Sequence, residues 1–317
     1  VVCDRGETRR IVLSSRSDRA VVEAVLMRYR RRVTACVSSQ AGCAMNCSFC
    51  ATGQMGFMRQ LSLGEIVEQV VVAARSCEDR GWGRLSNVVF MGMGEPMANY
   101  DNVLGAISRL HGTLGIGARS FTVSTVGIVP GIRRLAREAL QVNLAVSLHA
   151  ANDELRESLV PMDRRYPIAQ LLGACREYTA HTNRRISFEW ALISGVNDRP
   201  CDADELIELV RPFGGLAHVN LIALNPTAGY MTAGSSPETV RDFRDLVVIG
   251  GVNTTIRATR GRGISAACGQ LAGEAARPGS AAAGRPLGPA SGSHRVIAVT
   301  PTGRGHRAQV TPHRPPA

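Results

Sequence analysis

The sequence predicts an α/β protein in which strand–helix units repeat around a parallel sheet, open or barrel-like. Three observations point there. Short β-rich runs recur at 87–91 (NVVFM), 121–125 (FTVST), 142–148 (VNLAVSL), 186–193 (ISFEWALI) and 219–224 (VNLIAL). Amphipathic stretches alternate with them at 63–75, 102–110, 168–179, 204–210 and 237–248. Polar or glycine-rich motifs follow the β runs directly: GMGEP after NVVFM, STVG after FTV, SLHA after VNLAV, NP after LIAL. In parallel α/β folds the chemistry collects at the carboxyl ends of strands, so these motifs mark a candidate site.

Along the chain, residues 1–32 offer one strand candidate (RIVL) and the stretch RAVVEAVLMRYRRR, too little for an independent domain. The helix expected over 63–75 has Ser62 as N-cap and Glu65 three residues on, the spacing of a capping box. Repeated βα units occupy 33–270. Residues 271–317 hold seven of the fifteen prolines and six Arg against one Glu, without apolar periodicity, so a disordered tail is expected.

The 317 residues are 44% hydrophobic, enough for a sizeable core, but only 4% aromatic, so Val, Leu, Ile, Ala and Met must fill it. No apolar run has the length of a membrane span and no signal-peptide pattern opens the sequence; a soluble cytoplasmic protein is expected. The net charge is +11, and every one of the 37 basic residues is Arg. That suits a polyanionic partner such as nucleic acid; a genome that favours Arg codons explains it equally well.

Nine cysteines in such a chain argue for metal binding or catalysis rather than a disulfide framework. Four fall within CVSSQAGCAMNCSFC, and Cys43, Cys47 and Cys50 are spaced C-x3-C-x2-C. A structural zinc site takes four protein ligands. Here only three cluster, although His111, His149, His181 or His218 could supply a fourth. Three thiolates also suit a four-iron cluster that keeps one iron open to a small molecule.

This spacing, with Phe49 before the last cysteine, is similar to that of radical S-adenosylmethionine (SAM) enzymes. Longer stretches are more specific: CVSSQAGCAMNCSFCATGQMGF (36–57), NVVFMGMGEPMANYDNV (87–103), STVG (124–127), VNLAVSLHA (142–150), NDELRESLVP (152–161), VNLIALNP (219–226) and TRGRGISAACGQLAG (259–273). Together they resemble the RlmN/Cfr family of radical SAM RNA (adenine) methyltransferases. The resemblance implies a partial (β/α)6 radical-SAM barrel over 33–270, with 1–32 as the remnant of an N-terminal RNA-binding region. It implies one [4Fe-4S] cluster on Cys43, Cys47 and Cys50, and two SAM molecules per turnover. SAM would be contacted by Gly94, Glu95, Ser124, Ser147, Leu148, His149 and Asn225. Cys268 would carry the methyl group, Cys36 would resolve a protein–RNA adduct as a disulfide with Cys268, and Glu23 would accept a proton. The implied substrates are 23S rRNA and tRNA, methylated at adenosine carbon 2, with a flavodoxin-type electron donor, no membrane and a monomeric enzyme. Two alternatives stay open: a Cfr-like carbon-8 methyltransferase, and a non-catalytic metal-binding relic associated with RNA. Cys3, Cys77, Cys175 and Cys201 have no role in the resemblance.

Overall fold

The computed structural model describes residues 2–4, 6–271 and 297–298. Strands β1 (Val2–Asp4), β2 (Thr8–Ser14) and β3 (Val21–Arg28) form an antiparallel meander, and β3 pairs antiparallel with β4 (Val33–Cys36). A small hairpin follows, β5 (Gln40–Gly42) against β6 (Phe57–Gln60), with the one-turn helix α1 (Ala51–Gln54) in its loop. Beyond β4 the sheet continues as parallel pairings through β7 (Asn87–Phe90), β8 (Phe121–Thr125), β9 (Asn143–Ser147), β10 (Ile186–Leu192), β11 (Ala217–Ala223) and β12 (Thr254–Ile256).

Helices α2 (Leu63–Glu78), α3 (Tyr100–Leu114), α4 (Val129–Leu135), α5 (Asp153–Leu159), α6 (Ile168–Thr182), α7 (Pro200–Val210) and α8 (Pro237–Ile249) join these strands. Spatial order equals chain order, as when each crossover adds its strand on the same side. Among the described residues β12 pairs only with β11, so the sheet is a partial barrel with an open seam. The two-residue β13 (Ile297–Ala298) pairs with Leu13–Ser14. The rest of the expected disordered tail, save Leu271, lies outside the described residues. No described helix is long and apolar enough to cross a membrane.

The local signals act as read. Ser62 Oγ accepts from the Glu65 amide at 3.3 Å, and Glu65 Oε2 accepts from the Ser62 amide at 2.9 Å, closing the capping box. α3 and α6 stop where Gly115 and Asn183 turn left-handed, at φ 60° and 49°. Strand β10 is buried at all but one position, which is why ISFEWAL reads as nearly continuous apolar sequence. The short helices α4 and α5 and the three-residue β12 carry too few periods to show in the sequence. Position 32/33 lies in the turn between the hydrogen-bonded strands β3 and β4.

Arg156, on α5, fastens the carboxyl ends of β8 and β9. Its side chain is fully buried, donates to the carbonyls of Leu148 (3.0 Å), Val126 (2.6 Å) and Ser147 (3.1 Å), and pairs with buried Asp163 at 2.5 Å. Arg156→Met strands the Asp163 carboxylate and three carbonyls. The expected loss is about 3–5 kcal/mol, measured as a lowered urea midpoint with an unchanged denaturant slope.

Candidate active site

The cysteine loop runs from β5 into α1 and lies across the carboxyl ends of the parallel strands. It is pinned from three sides: the Cys43 amide donates to the Gly56 carbonyl (2.9 Å), the Ser48 amide to Leu159 (3.1 Å) and the Ala51 amide to Gly269 (2.8 Å). Phe49 packs edge-on against His149, with ring centroids 4.9 Å apart. Cys43 and Cys47 are buried and Cys50 is half-buried. Burial pushes the Cys43 thiol up to about 12, with Cys50 and Glu95 adding to the shift against a backbone hydrogen bond. Burial likewise raises Cys47, with Cys50 and Cys43 next in weight.

Three soft donors, of which Cys43 and Cys47 are kept protonated by burial in the absence of metal, suit an iron–sulfur cluster, because coordination deprotonates a thiol outright. Among the described residues no three His, Cys, Asp or Glu side chains gather around a single-ion site. A four-iron cluster distributes its thiolates over separate irons, so three cysteines on one loop fit it without meeting at a point.

Beside the loop lies a cavity of about 170 Å³ lined by Cys47, Cys50, Gly94, Glu95, Ser124, Ser147, His149 and Asn225, together with Glu189, Arg257 and Cys268. Gly94 stands at φ 97°, and a Cβ there would come within 2.5 Å of Gln40 Cβ, so only glycine turns the chain so close. The turn delivers Glu95, whose Oε1 accepts from the Met97 amide (3.0 Å) and Oε2 from the Val126 amide (2.9 Å). Burial dominates these bonds and lifts Glu95 to about 7. His149, left-handed at φ 62°, accepts the Ala191 amide on Nδ1 at 3.0 Å, which places its proton on Nε2. Burial, aided by Arg156, lowers it to about 3, so the ring is a neutral donor.

Leu148 stands apart from its two neighbours. Its side chain is fully buried in the core, as strand alternation dictates between Ser147 and His149, and it does not line the cavity. Only its backbone stands near, with its amide on the Glu189 carbonyl at 3.0 Å.

A second cavity, about 110 Å³, shares Cys50, Asn225, Arg257 and Cys268 with the first and adds Val25, Met27, Tyr29, Cys36 and Arg260. Cys36, at the end of β4, and Cys268, 232 residues later, therefore face one space. Cys268 is half-exposed, and its carbonyl accepts from Asn225 Nδ2 at 3.1 Å. Burial first, and Cys268 second, push the Cys36 thiol up to about 12, against Arg257. Glu23 is not on the protein surface, where a lone glutamate is expected. It is fully buried on β3, on the same face as the cavity-lining Val25 and Met27, with Arg10 Nη1 3.7 Å from its Oε1.

Arg257 and Glu189 were missed in the sequence. Arg257 follows the unrecognised β12, lines both cavities and lies 3.6 Å from the Glu189 carboxylate. Glu189 carried a signal, a single charge inside an apolar run.

A three-thiol loop over the carboxyl ends of a partial barrel, beside a cavity with a buried carboxylate, defines a radical SAM protein. The radical SAM superfamily model matches residues 37–210. A protein named "Probable dual-specificity RNA methyltransferase RlmN" from Parafrankia sp. (strain EAN1pec) is 56% identical over 285 residues, 86% of this chain and 73% of that one. One of the same name from Thermobifida fusca (strain YX) is 54% identical over 284 residues, 87% and 77% of the two chains. The crystal structure of a radical SAM methyltransferase from Sphaerobacter thermophilus matches with a TM-score of 0.83 at 51% identity, covering 86% of this chain and 80% of that one. The chain belongs to the RlmN family of radical SAM RNA methyltransferases, whose chemistry uses SAM and a [4Fe-4S] cluster.

Glu95 gives this site a pH signature. Its carboxyl is raised from 4.5 to about 7, so the folded protein holds a proton there that the unfolded chain has released. Stability contributed by the protonated form is present below pH 4.5 and lost as pH rises through 7, by roughly 3 kcal/mol. Urea midpoints of the cluster-free protein should fall over that window, and Glu95→Gln should flatten the fall.

Proposed function

We propose that this chain methylates carbon 2 of an adenosine in 23S rRNA, and of an adenosine in tRNA, with Cys268 as methyl carrier, Cys36 as resolving thiol and Glu23 as proton acceptor. The observation that carries the reading is the cavity shared by Cys36 and Cys268 beside the Cys43–Cys47–Cys50 loop. Cys43, Cys47 and Cys50 would hold the cluster beside the cavity that would take SAM. When bound, cluster and SAM supply a 5′-deoxyadenosyl radical able to abstract hydrogen from a methyl group, the electron coming from a flavodoxin-type donor.

Around them the protein's own groups bind and orient. Gly94 and Glu95 would take the SAM ammonium; Ser124, Ser147, His149 and Asn225 offer hydroxyl, imidazole N–H and amide partners to ribose and carboxylate, and Leu148 only its backbone. Each methylation consumes two SAM molecules. The Cys268 sulfur displaces S-adenosylhomocysteine from the first and keeps the methyl group. Loss of a hydrogen atom from that group, by way of the second, lets its carbon bond to carbon 2 of the adenine, joining RNA to Cys268. The adduct then gives up one electron, which the oxidised cluster would take back, and its carbon-2 proton, which Glu23 would accept, and the ring regains its aromaticity. Cys36 attacks the Cys268 sulfur; the sulfur–carbon bond breaks with its electron pair on carbon, which takes a proton and departs as the new methyl group. A two-electron thiol reductant reopens the disulfide. The enzyme acts as a monomer.

Nucleoside mass spectrometry on rRNA and tRNA from cells with and without the gene should find 2-methyladenosine only when the gene is present. 8-Methyladenosine in its place overturns the carbon-2 assignment, and no change in either RNA points to a relic. Cys36→Ala should leave RNA attached to Cys268, seen on a denaturing gel as a shifted band that nuclease removes. Full turnover without such an adduct would rule out Cys36 as the resolving thiol.

A further inference from the structure

The cavity that holds Cys36 and Cys268 has a rim that the proposed chemistry does not use. The turn from β3 to β4 reads Arg28, Tyr29, Arg30, Arg31, Arg32, and it closes with the Tyr29 amide on the Arg32 carbonyl at 2.8 Å. Tyr29 lines the cavity, and so does Arg260, which arrives on the segment that carries Cys268. Two guanidinium groups lie over the Tyr29 ring, Arg260 at 4.4 Å and Arg32 at 4.9 Å from its centroid. Arg260 also donates to the Arg28 carbonyl (3.0 Å) and pairs with Glu7 (2.9 Å), tying the Cys268 segment to this turn.

Several exposed arginines elsewhere are met by carboxylates, Arg133 by Glu177, Arg134 by Asp101, Arg164 by Glu157 and Arg211 by Glu208, and others, such as Arg80, Arg109 and Arg241, stand singly along the sequence. Among the described residues no ion pair neutralises Arg28, Arg30, Arg31 or Arg32, all four of which are exposed. A codon preference for Arg explains why these residues are Arg and not Lys. It does not explain four unneutralised cations within five positions beside the reactive cavity.

We propose that the Arg28–Arg32 turn, locked to Arg260 through Tyr29, is a phosphate-contact rim that seats the single-stranded RNA backbone beside the target adenosine. This rests on the RNA-methylating role proposed above and adds the surface that holds the RNA. Guanidinium groups match phosphate oxygens in fork geometry. With its ring taken up by Arg32 and Arg260, Tyr29 serves as a mount for two cations and not as a base-stacking platform. Contacts of this kind fix the register of the chain and carry no sequence preference.

The test is the salt dependence of binding by the reconstituted holoenzyme to a short fluorescent hairpin RNA with an adenosine in its loop. Each phosphate contact to a single strand contributes about 0.7 to the slope of log K against log salt. Combined Arg30→Ala, Arg31→Ala and Arg32→Ala should therefore lower the slope by about 2 and raise KM for RNA more than it lowers kcat. Replacing the same three with Lys should retain the slope, and Arg31→Ala alone, the mildest change, should lower it by about 0.7. Removing Arg80, Arg109 and Arg241, exposed on or just after outer helices, should leave it unaltered. An unchanged slope in the rim variants, or an equal fall in the outer-helix control, overturns the rim while methylation by the wild type leaves the proposed function standing. A wild-type holoenzyme that binds no RNA overturns both.

Discussion

A parallel sheet that stops short of closing leaves the backbone at its last strand, and one flank of its interior, without a neighbouring strand, and polar backbone groups there must find other partners. In this chain the segment 257–271 lies against that seam. Its first amide, Arg257, donates to the Leu221 carbonyl at 2.8 Å and extends the β11 side. Asn225 then holds the Cys268 carbonyl, while Ala51 and Thr52 of α1 donate to the carbonyls of Gly269 and Leu271, at 2.8 and 2.5 Å. Arg260 fixes the same segment to the β3–β4 turn. The segment is irregular, so the position of Cys268 is set by these individual bonds to both flanks and not by a repeating ladder. The meeting of residues 36 and 268 is thus a consequence of how the barrel is left open.

The same seam concentrates charge where water is scarce. Glu189 sits on β10 with Asn220 Nδ2 donating to its Oε1 at 2.9 Å and Arg257 facing its other oxygen. Burial raises the Glu189 carboxyl, and the Arg257 guanidinium opposes the shift. Cys268 and Glu189 in turn hold the Arg257 guanidinium protonated beyond its usual range. Buried charges persist only when paired or hydrogen-bonded. This pair borders a cavity that also holds Glu95, raised to about 7, and a His149 ring that stays unprotonated.

What the sequence disclosed followed from how local its cause was. Strands β7 to β11 and helices α2, α3, α6, α7 and α8 stand within a few residues of where periodicity puts them, because each buries a face long enough to impose a period. The C-x3-C-x2-C loop and the GMGEP turn were legible because glycine and cysteine are chosen there for geometry and donor chemistry. β12, three residues long, has no period to read, and Arg257 at its end was missed with it. A glutamate such as Glu23 is by residue type most often a surface charge; the pairing of β2, β3 and β4 puts it inside. Leu148 went the other way. It lies just past β9 with its side chain in the core, so any contact it makes with the cavity would come from its backbone.

The two cysteines of the seam differ in the property that the proposed reaction needs them to differ in. A thiol that is to be methylated must reach the SAM side of the site, and Cys268 borders both cavities and is half-exposed. A resolving thiol must not be methylated in its place, and Cys36 is buried, borders only the second cavity and is kept protonated by its surroundings. The thiolate is the nucleophile, so a thiol held near 12 is inert at neutral pH. It becomes reactive only when its proton is drawn off, a change that Arg257, the cation beside both sulfurs, favours. Selectivity between two cysteines in one pocket then requires no recognition of either by SAM. It follows from which sulfur the fold leaves wet and which it leaves dry.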